Sequence, residues 1–157
     1  NQNVIKALNI KSGLTHSEYI MDNQNRCFLV ETANRGGGVW TSGVMVPILS
    51  GIDLSELLIK NALGEVFDVK PKLWHGNVFL KFLTFKPGTI KKISGIDDAK
   101  QIDGVKALRL NVKANDKIEA PKSGGERHGF SIIKSENQED GNLIYENLIN
   151  TISIEYE

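Results

Sequence analysis

The period of the hydrophobic pattern changes once along the chain, near Glu65, and the two sides of that change predict different architectures. On the first side, residues 4–10 carry apolar positions at helical spacing and end before Gly13, which predicts the last two turns of a helix. Two short apolar runs follow, residues 14–21 and 26–31, separated by the polar segment Asp22-Asn23-Gln24-Asn25-Arg26. Such runs around a polar turn predict a hairpin. Residues 39–49 are apolar again and predict a short helix from about Thr41 or Ser42, with Pro47 weakening or kinking it. Asp53-Leu54-Ser55-Glu56 predicts a capping box, the Asp53 side chain accepting from the N3 amide and Glu56 reaching back. Leu54, Leu57, Leu58 and Ala62 then form the stripe of an amphipathic helix that stops at Gly64.

Beyond Glu65 the period becomes two. Residues 77–85 set Val78, Leu80 and Phe82 against Phe79, Leu83 and Phe85, the pattern of a strand buried on both faces. Pro87-Gly88 turns the chain into a strand over 89–94, and Asp97-Asp98-Ala99 predicts one capped helical turn. Strands over 105–113 and 127–135 follow, the second leaving a Ser123-Gly124-Gly125-Glu126 loop. Asp140-Gly141 opens a helix holding Leu143, Ile144, Leu148 and Ile149, and residues 152–156 alternate as a last strand. Several short strands with one late helix predict an α+β class with antiparallel sheets. The boundary is expected near residues 65–72, giving units 1–68 and 69–157, with Lys70-Pro71-Lys72 as a short linker.

Composition narrows the function classes. With 19 basic and 19 acidic residues the net charge is zero, and no basic stripe points to nucleic acid. A single cysteine, Cys27, excludes an intrachain disulfide and suits a reducing compartment, so a cytoplasmic setting is expected. No apolar run approaches the roughly 20 residues that span a bilayer, and no membrane partner is expected. The opening Asn1-Gln2-Asn3 has neither the charged nor the apolar region of a secretory leader. His16, His75 and His128 lack metal-ligand spacing, and a zinc site is not expected.

The chemistry concentrates at Glu31-Thr32-Ala33-Asn34-Arg35-Gly36-Gly37-Gly38. Three consecutive glycines suit neither strand nor helix, and let backbone approach a bulky or charged group. The hairpin predicted above would bring Glu31 beside Glu18. Two carboxylates next to Arg35 and a glycine loop suit Mg²⁺ and phosphate chemistry. His16, two residues before Glu18, shares its strand face.

The stretch from His16-Ser17-Glu18-Tyr19 through Val30–Gly38 to Ser50-Gly51-Ile52-Asp53-Leu54 resembles the C-terminal half of an ATP-grasp domain. The nearest subgroup is the amino-acid ligases and carbamoyl-phosphate-synthetase-like proteins. Beyond about residue 65 the chain resembles the small β-rich domain that follows in L-amino-acid ligases. The resemblance implies an ADP-forming carboxylate–amine ligase with an acyl-phosphate intermediate, ATP as co-substrate, and Mg²⁺ (or Mn²⁺) held by Glu18 and Glu31. It implies that Arg35 faces the acyl phosphate, that Gly36, Gly37 and Gly38 offer amides to the phosphoryl group, and that Ile20 and Val30 pack against adenine. It also makes Arg127 and His128 substrate contacts. Many members carry Glu-x-Asn-x-Arg, whereas here Ala33 occupies the Asn position. Strand alternation puts Asn34 on the face opposite Glu31. The resembling enzymes also use a glycine-rich lid and lysines from the preceding half of the fold. The chain is therefore expected to be a C-terminal fragment, inactive alone, whose partners are that N-terminal half, ATP, a small carboxylate and an amine. The rival expectation is a lipoyl- or biotinyl-like barrel over residues 77–135, a non-enzymatic carrier or binding module, though no lysine sits at a Met-Lys-Met-like hairpin tip.

Overall fold

A computed structural model describes residues 1–157, which divide into two units, Asn1–Leu73 and Trp74–Glu157. The first unit opens with α1 (Gln2–Ala7), which ends at Leu8 before Asn9 turns to φ 53°. Strands β1 (His16–Met21) and β2 (Cys27–Ala33) form the expected antiparallel hairpin. Its turn is tied by Asp22, whose carboxylate accepts from the Gln24 and Arg26 amides and from Arg26 Nε at 2.7 Å. The Arg26 backbone N–H, then its guanidinium, hold the Asp22 carboxyl below its ordinary pKa. A depressed carboxylate supports the folded turn above its unfolded pKa, and that support is lost as pH falls through the lower folded value.

Residues 41–50 do not make one α-helix. A π-helical turn, Thr41–Met45, leads into α2 (Val46–Ser50), with Pro47 in the first turn of α2. Proline lacks the N–H that a continuing α-helix would need there, and its position at the start of a new helical segment is where it is tolerated. Helix α3 (Leu54–Ala62) starts at Asp53, whose Oδ1 accepts from Ser55 N at 2.8 Å and Glu56 N at 3.1 Å. Glu56 does not complete the predicted box; its carboxylate pairs instead with Lys60 one turn on, at 2.6 Å. Asp53→Ala should cost about 0.5–2 kcal/mol, whereas Glu56→Gln, which removes only an exposed ion pair, should cost well under 1 kcal/mol. Urea unfolding of the two variants would separate them. Leu54 and Leu57 turn toward Leu14, Phe67 and Val69 along an apolar groove, but no side chain of this unit is fully buried. The hairpin keeps large apolar side chains in the open, among them Ile20, Met21, Phe28 and Val30.

The second unit holds all the buried residues. Its strands are β3 (Asn77–Leu83), β4 (Gly88–Ser94), β5 (Val105–Leu110), β6 (Lys117–Ile118), β7 (Gly129–Ser135) and β8 (Ser153–Tyr156). They pair entirely antiparallel, as one sheet in the order β3-β7-β5 and another in the order β6-β4-β8. The strand buried on both faces is β7, not the more apolar β3, which lies at a sheet edge. Helix α4 (Ile96–Gln101) is capped by Gly95 at φ 78° rather than by Asp97, and α5 (Gln138–Thr151) by Asn137 rather than Asp140. Helix α5 packs on β7, β3 and α4, closing a core of Leu83, Ala99, Leu108, Leu148 and Ile152. The strands within residues 77–135 do not close into a barrel of their own, because β4 takes β8 from beyond α5 as its neighbour. No single helix of the chain is long and apolar enough to cross a membrane.

Candidate functional site

The hairpin register decides the geometry of the site. Glu18 stands directly opposite Glu31, and His16 opposite Ala33. Residues paired across antiparallel strands share a face, with Cβ atoms about 4.5–5.5 Å apart. The register then shifts, Tyr19 pairing with Leu29, so that Val30 is the extra residue of a β-bulge. Bulges re-aim neighbouring side chains and recur beside active sites. Here the bulge adjoins the paired glutamates and shifts the register of the ladder beyond them.

Glu18, Glu31, His16, Arg35, Gly38, Val39 and Thr41 line one recess of about 320 Å³. Two carboxylates at directly opposed positions repel unless positive charge or a donor offsets them. His16 Nε2 lies 3.3 Å from Glu18 Oε1, and since an ionised carboxylate only accepts, the ring nitrogen donates. Arg35 folds back so that Nη1 donates to the Gly36 carbonyl at 2.8 Å. No group of three or more His, Cys, Asp and Glu side chains is close enough to hold a metal by protein ligands alone. A two-carboxylate set is the donor set of Mg²⁺, which keeps waters and takes one or two carboxylates plus substrate phosphates. The residues present therefore fit that ion, though not a structural metal.

The glycine run owes its composition to close packing. A Cβ on Gly36 would collide with Ser42 Oγ, and one on Gly37 would stand 3.0 Å from His16 Nδ1 and 3.2 Å from Thr41 Cβ. Only Gly38 is open enough to accept a side chain, and it is the one glycine of the three that lines the recess. The loop is tied through its carbonyls: Ser42 Oγ donates to Gly37 and the Thr41 amide to Gly38. Directly after it, Val39 and Trp40 adopt left-handed backbone, φ 47° and 57°. That conformation is unusual for a β-branched residue and clusters at functional sites. Composition gave no sign of it.

Other residues singled out in the sequence fall elsewhere. Ile20 and Val30 are exposed on the hairpin, 63% and 55% accessible, outside the recess. Asn34 is also outside it, its amide against Gly13. His128 is not a substrate contact: it is buried, with Nδ1 accepting from the Phe85 amide and Nε2 donating to the Glu119 carbonyl, each at 2.9 Å. Both ring nitrogens are thus committed to backbone. Arg127 lies over the Phe82 ring at 3.5 Å.

Residues 81–157 match the family described as L-amino acid ligase C-terminal domain 2. The whole chain superimposes on an L-amino acid ligase from Bacillus licheniformis with TM-score 0.74 and 24% identity, covering 98% of this chain and 38% of that one. It also superimposes on phosphoribosylglycinamide synthetase from Anaerococcus prevotii, with TM-score 0.83, 21% identity and coverage of 99% and 40%. The fold is that of the C-terminal part of an ATP-grasp ligase. A third ATP-grasp structure, biotin carboxylase from Campylobacter jejuni, matches at TM-score 0.67 and 17% identity, over 96% of this chain and 33% of that one. The chain thus spans about two fifths of the length of these two proteins. No curated protein sequence matches it.

Proposed function

We propose that this chain forms the metal- and phosphate-facing part of an ATP-dependent carboxylate–amine ligase. The observation that carries the reading is the direct opposition of Glu18 and Glu31 in a recess shared with Arg35. Glu18 and Glu31 would hold Mg²⁺, which when bound would neutralise charge on the ATP phosphates. The carboxylate substrate attacks the γ-phosphorus, ADP leaves, and an acyl phosphate results. The amine then attacks the acyl carbon, phosphate departs, and the nitrogen gives up a proton to complete the amide. Arg35 faces the transferring group with a planar fork of donors, and the backbone of Gly36–Gly38 lets phosphate oxygens come close. Ile20 and Val30, exposed and apolar on the same hairpin, offer a surface to adenine. The L-amino acid ligase relationship of residues 81–157 favours amino acids as the substrate class. A cytoplasmic setting agrees with the lone, exposed Cys27 thiol.

Several apolar side chains of the hairpin stand exposed, as expected of a surface that the preceding half of an ATP-grasp fold would cover. The chain by itself is therefore expected to bind Mg-ATP weakly and release no ADP. The decisive assay uses the protein that carries this chain together with an ATP-grasp N-terminal half, supplied with Mg-ATP and pairs of L-amino acids. ADP and phosphate should appear in equal amounts, and only with both substrates present. AMP and pyrophosphate as products, or ADP release by the 157-residue chain alone, would overturn the reading.

A further inference from the structure

We propose that His16 is a positioning residue of this site, one that fixes the Glu18 carboxylate through Nε2–H and is itself fixed by the glycine loop. The inference rests on the reading of Glu18 and Glu31 as a metal-binding pair. It adds a residue to which neither the motif nor the comparisons assign a role. His16 is the first residue of β1, two positions before Glu18 and on its face, and it lines the same recess. Its ring lies between the Glu18 carboxylate and the glycine loop. Nε2 donates to Glu18 Oε1 at 3.3 Å, and the opposite edge lies so near Gly37 that a Cβ there would stand 3.0 Å from Nδ1 and 3.2 Å from Cε1.

That arrangement gives Gly37 a reason and His16 a task. Of two like-charged carboxylates facing each other, Glu18 has one oxygen engaged by a donor, leaving the other for a cation shared with Glu31. An ion that takes few protein ligands depends heavily on how those ligands are oriented, and partners that orient a metal ligand typically contribute 10–100-fold in affinity. The side chain is about one third exposed, 32%, so its removal should leave folding intact.

The test uses the 157-residue chain and Mn²⁺ as probe, reading paramagnetic broadening of assigned amide signals. In the wild type, broadening should centre on Glu18 and Glu31 and extend to Gly36–Gly38. His16→Ala should raise the Mn²⁺ concentration needed for the same broadening by about tenfold or more. His16→Gln, whose amide nitrogen reaches the place of Nε2, should bind close to wild type, while His16→Asn, which reaches only as far as Nδ1, should resemble alanine. The amide spectra themselves report that each variant is folded. Unchanged binding in His16→Ala would overturn the proposal, and so would equal losses in the Gln and Asn variants. Glu18→Gln and Glu31→Gln separate the two levels. If these leave the broadening unchanged, the metal pair itself is wrong; if they abolish it while His16→Ala does not weaken it, only the role of His16 fails.

Discussion

Leu148→Ala is expected to destabilise the second unit by about 2–5 kcal/mol, the range for emptying a fully buried leucine position. Leu148 has no exposed surface and sits in the C-terminal half of α5, where it clusters with Leu83, Ala99, Leu108 and Ile152. The loss combines the transfer of the removed methyl groups with the void left among neighbours held by two sheets. Small domains are stable by only about 5–15 kcal/mol, so this one change removes a large share. Leu143, on the same helix but 59% exposed, supplies the control, and its alanine variant should stay within about 0.5 kcal/mol of wild type. Thermal unfolding of both variants measures the difference. Equal melting temperatures would mean that α5 does not pack as described.

How far the sequence predicts this fold depends on how local the deciding interactions are. The hairpin, the Asp53 cap and the change of period near Glu65 are set within a few residues, and they appear where the pattern places them. Strand position in a sheet is not local. Residues 77–83 look central because both faces are apolar, yet β7 is the middle strand despite Gly129, Ser131 and Ser135. Those small residues let other elements close on it: a Cβ on Gly129 would strike the Arg109 carbonyl of β5. Helix starts shifted for a similar reason. A glycine at φ 78° can begin α4 where Thr151 crosses closely enough that its carbonyl would meet any Cβ on Gly95. The acidic residues that had looked like caps serve in the first turn instead.

At the site, spacing alone brought Glu18 and Glu31 together on paper, because a five-residue polar turn leaves few registers. The bulge at Val30 was not legible, since an extra residue leaves no mark on an apolar run of this length. Its effect is to break the alternation that would otherwise continue from Glu31 back along β2. The glycine run suggests backbone approach to a charged group, and packing supplies a further reason for it. Ser42 and His16 leave little room for a Cβ on Gly36 and Gly37, a tertiary fact that no composition rule contains. The left-handed Val39 and Trp40 were invisible for the opposite reason, since their residue types argue against that backbone.

On the ligase reading proposed above, Arg35→Lys in a protein carrying this chain is expected to cut kcat by about 10²-fold or more, the scale on which one preorganised donor to developing charge is missed. Arginine presents two parallel N–H groups to a phosphoryl oxygen pair, and lysine offers a single mobile point charge in their place. The substitution keeps the charge, so long-range attraction of ATP survives and the KM for ATP should move little by comparison. Stability should also survive, because Arg35 is exposed and its Nη1 only donates to the Gly36 carbonyl beside it. Arg35→Ala provides the reference, with a further loss of turnover and a rise in KM as the charge goes too. Steady-state rates of ADP release at saturating amino acid, with melting temperatures alongside, are the measurements. A lysine variant that turns over near wild type would leave Arg35 as a loop-stabilising residue, and the charge facing the phosphoryl group would then have to come from another residue.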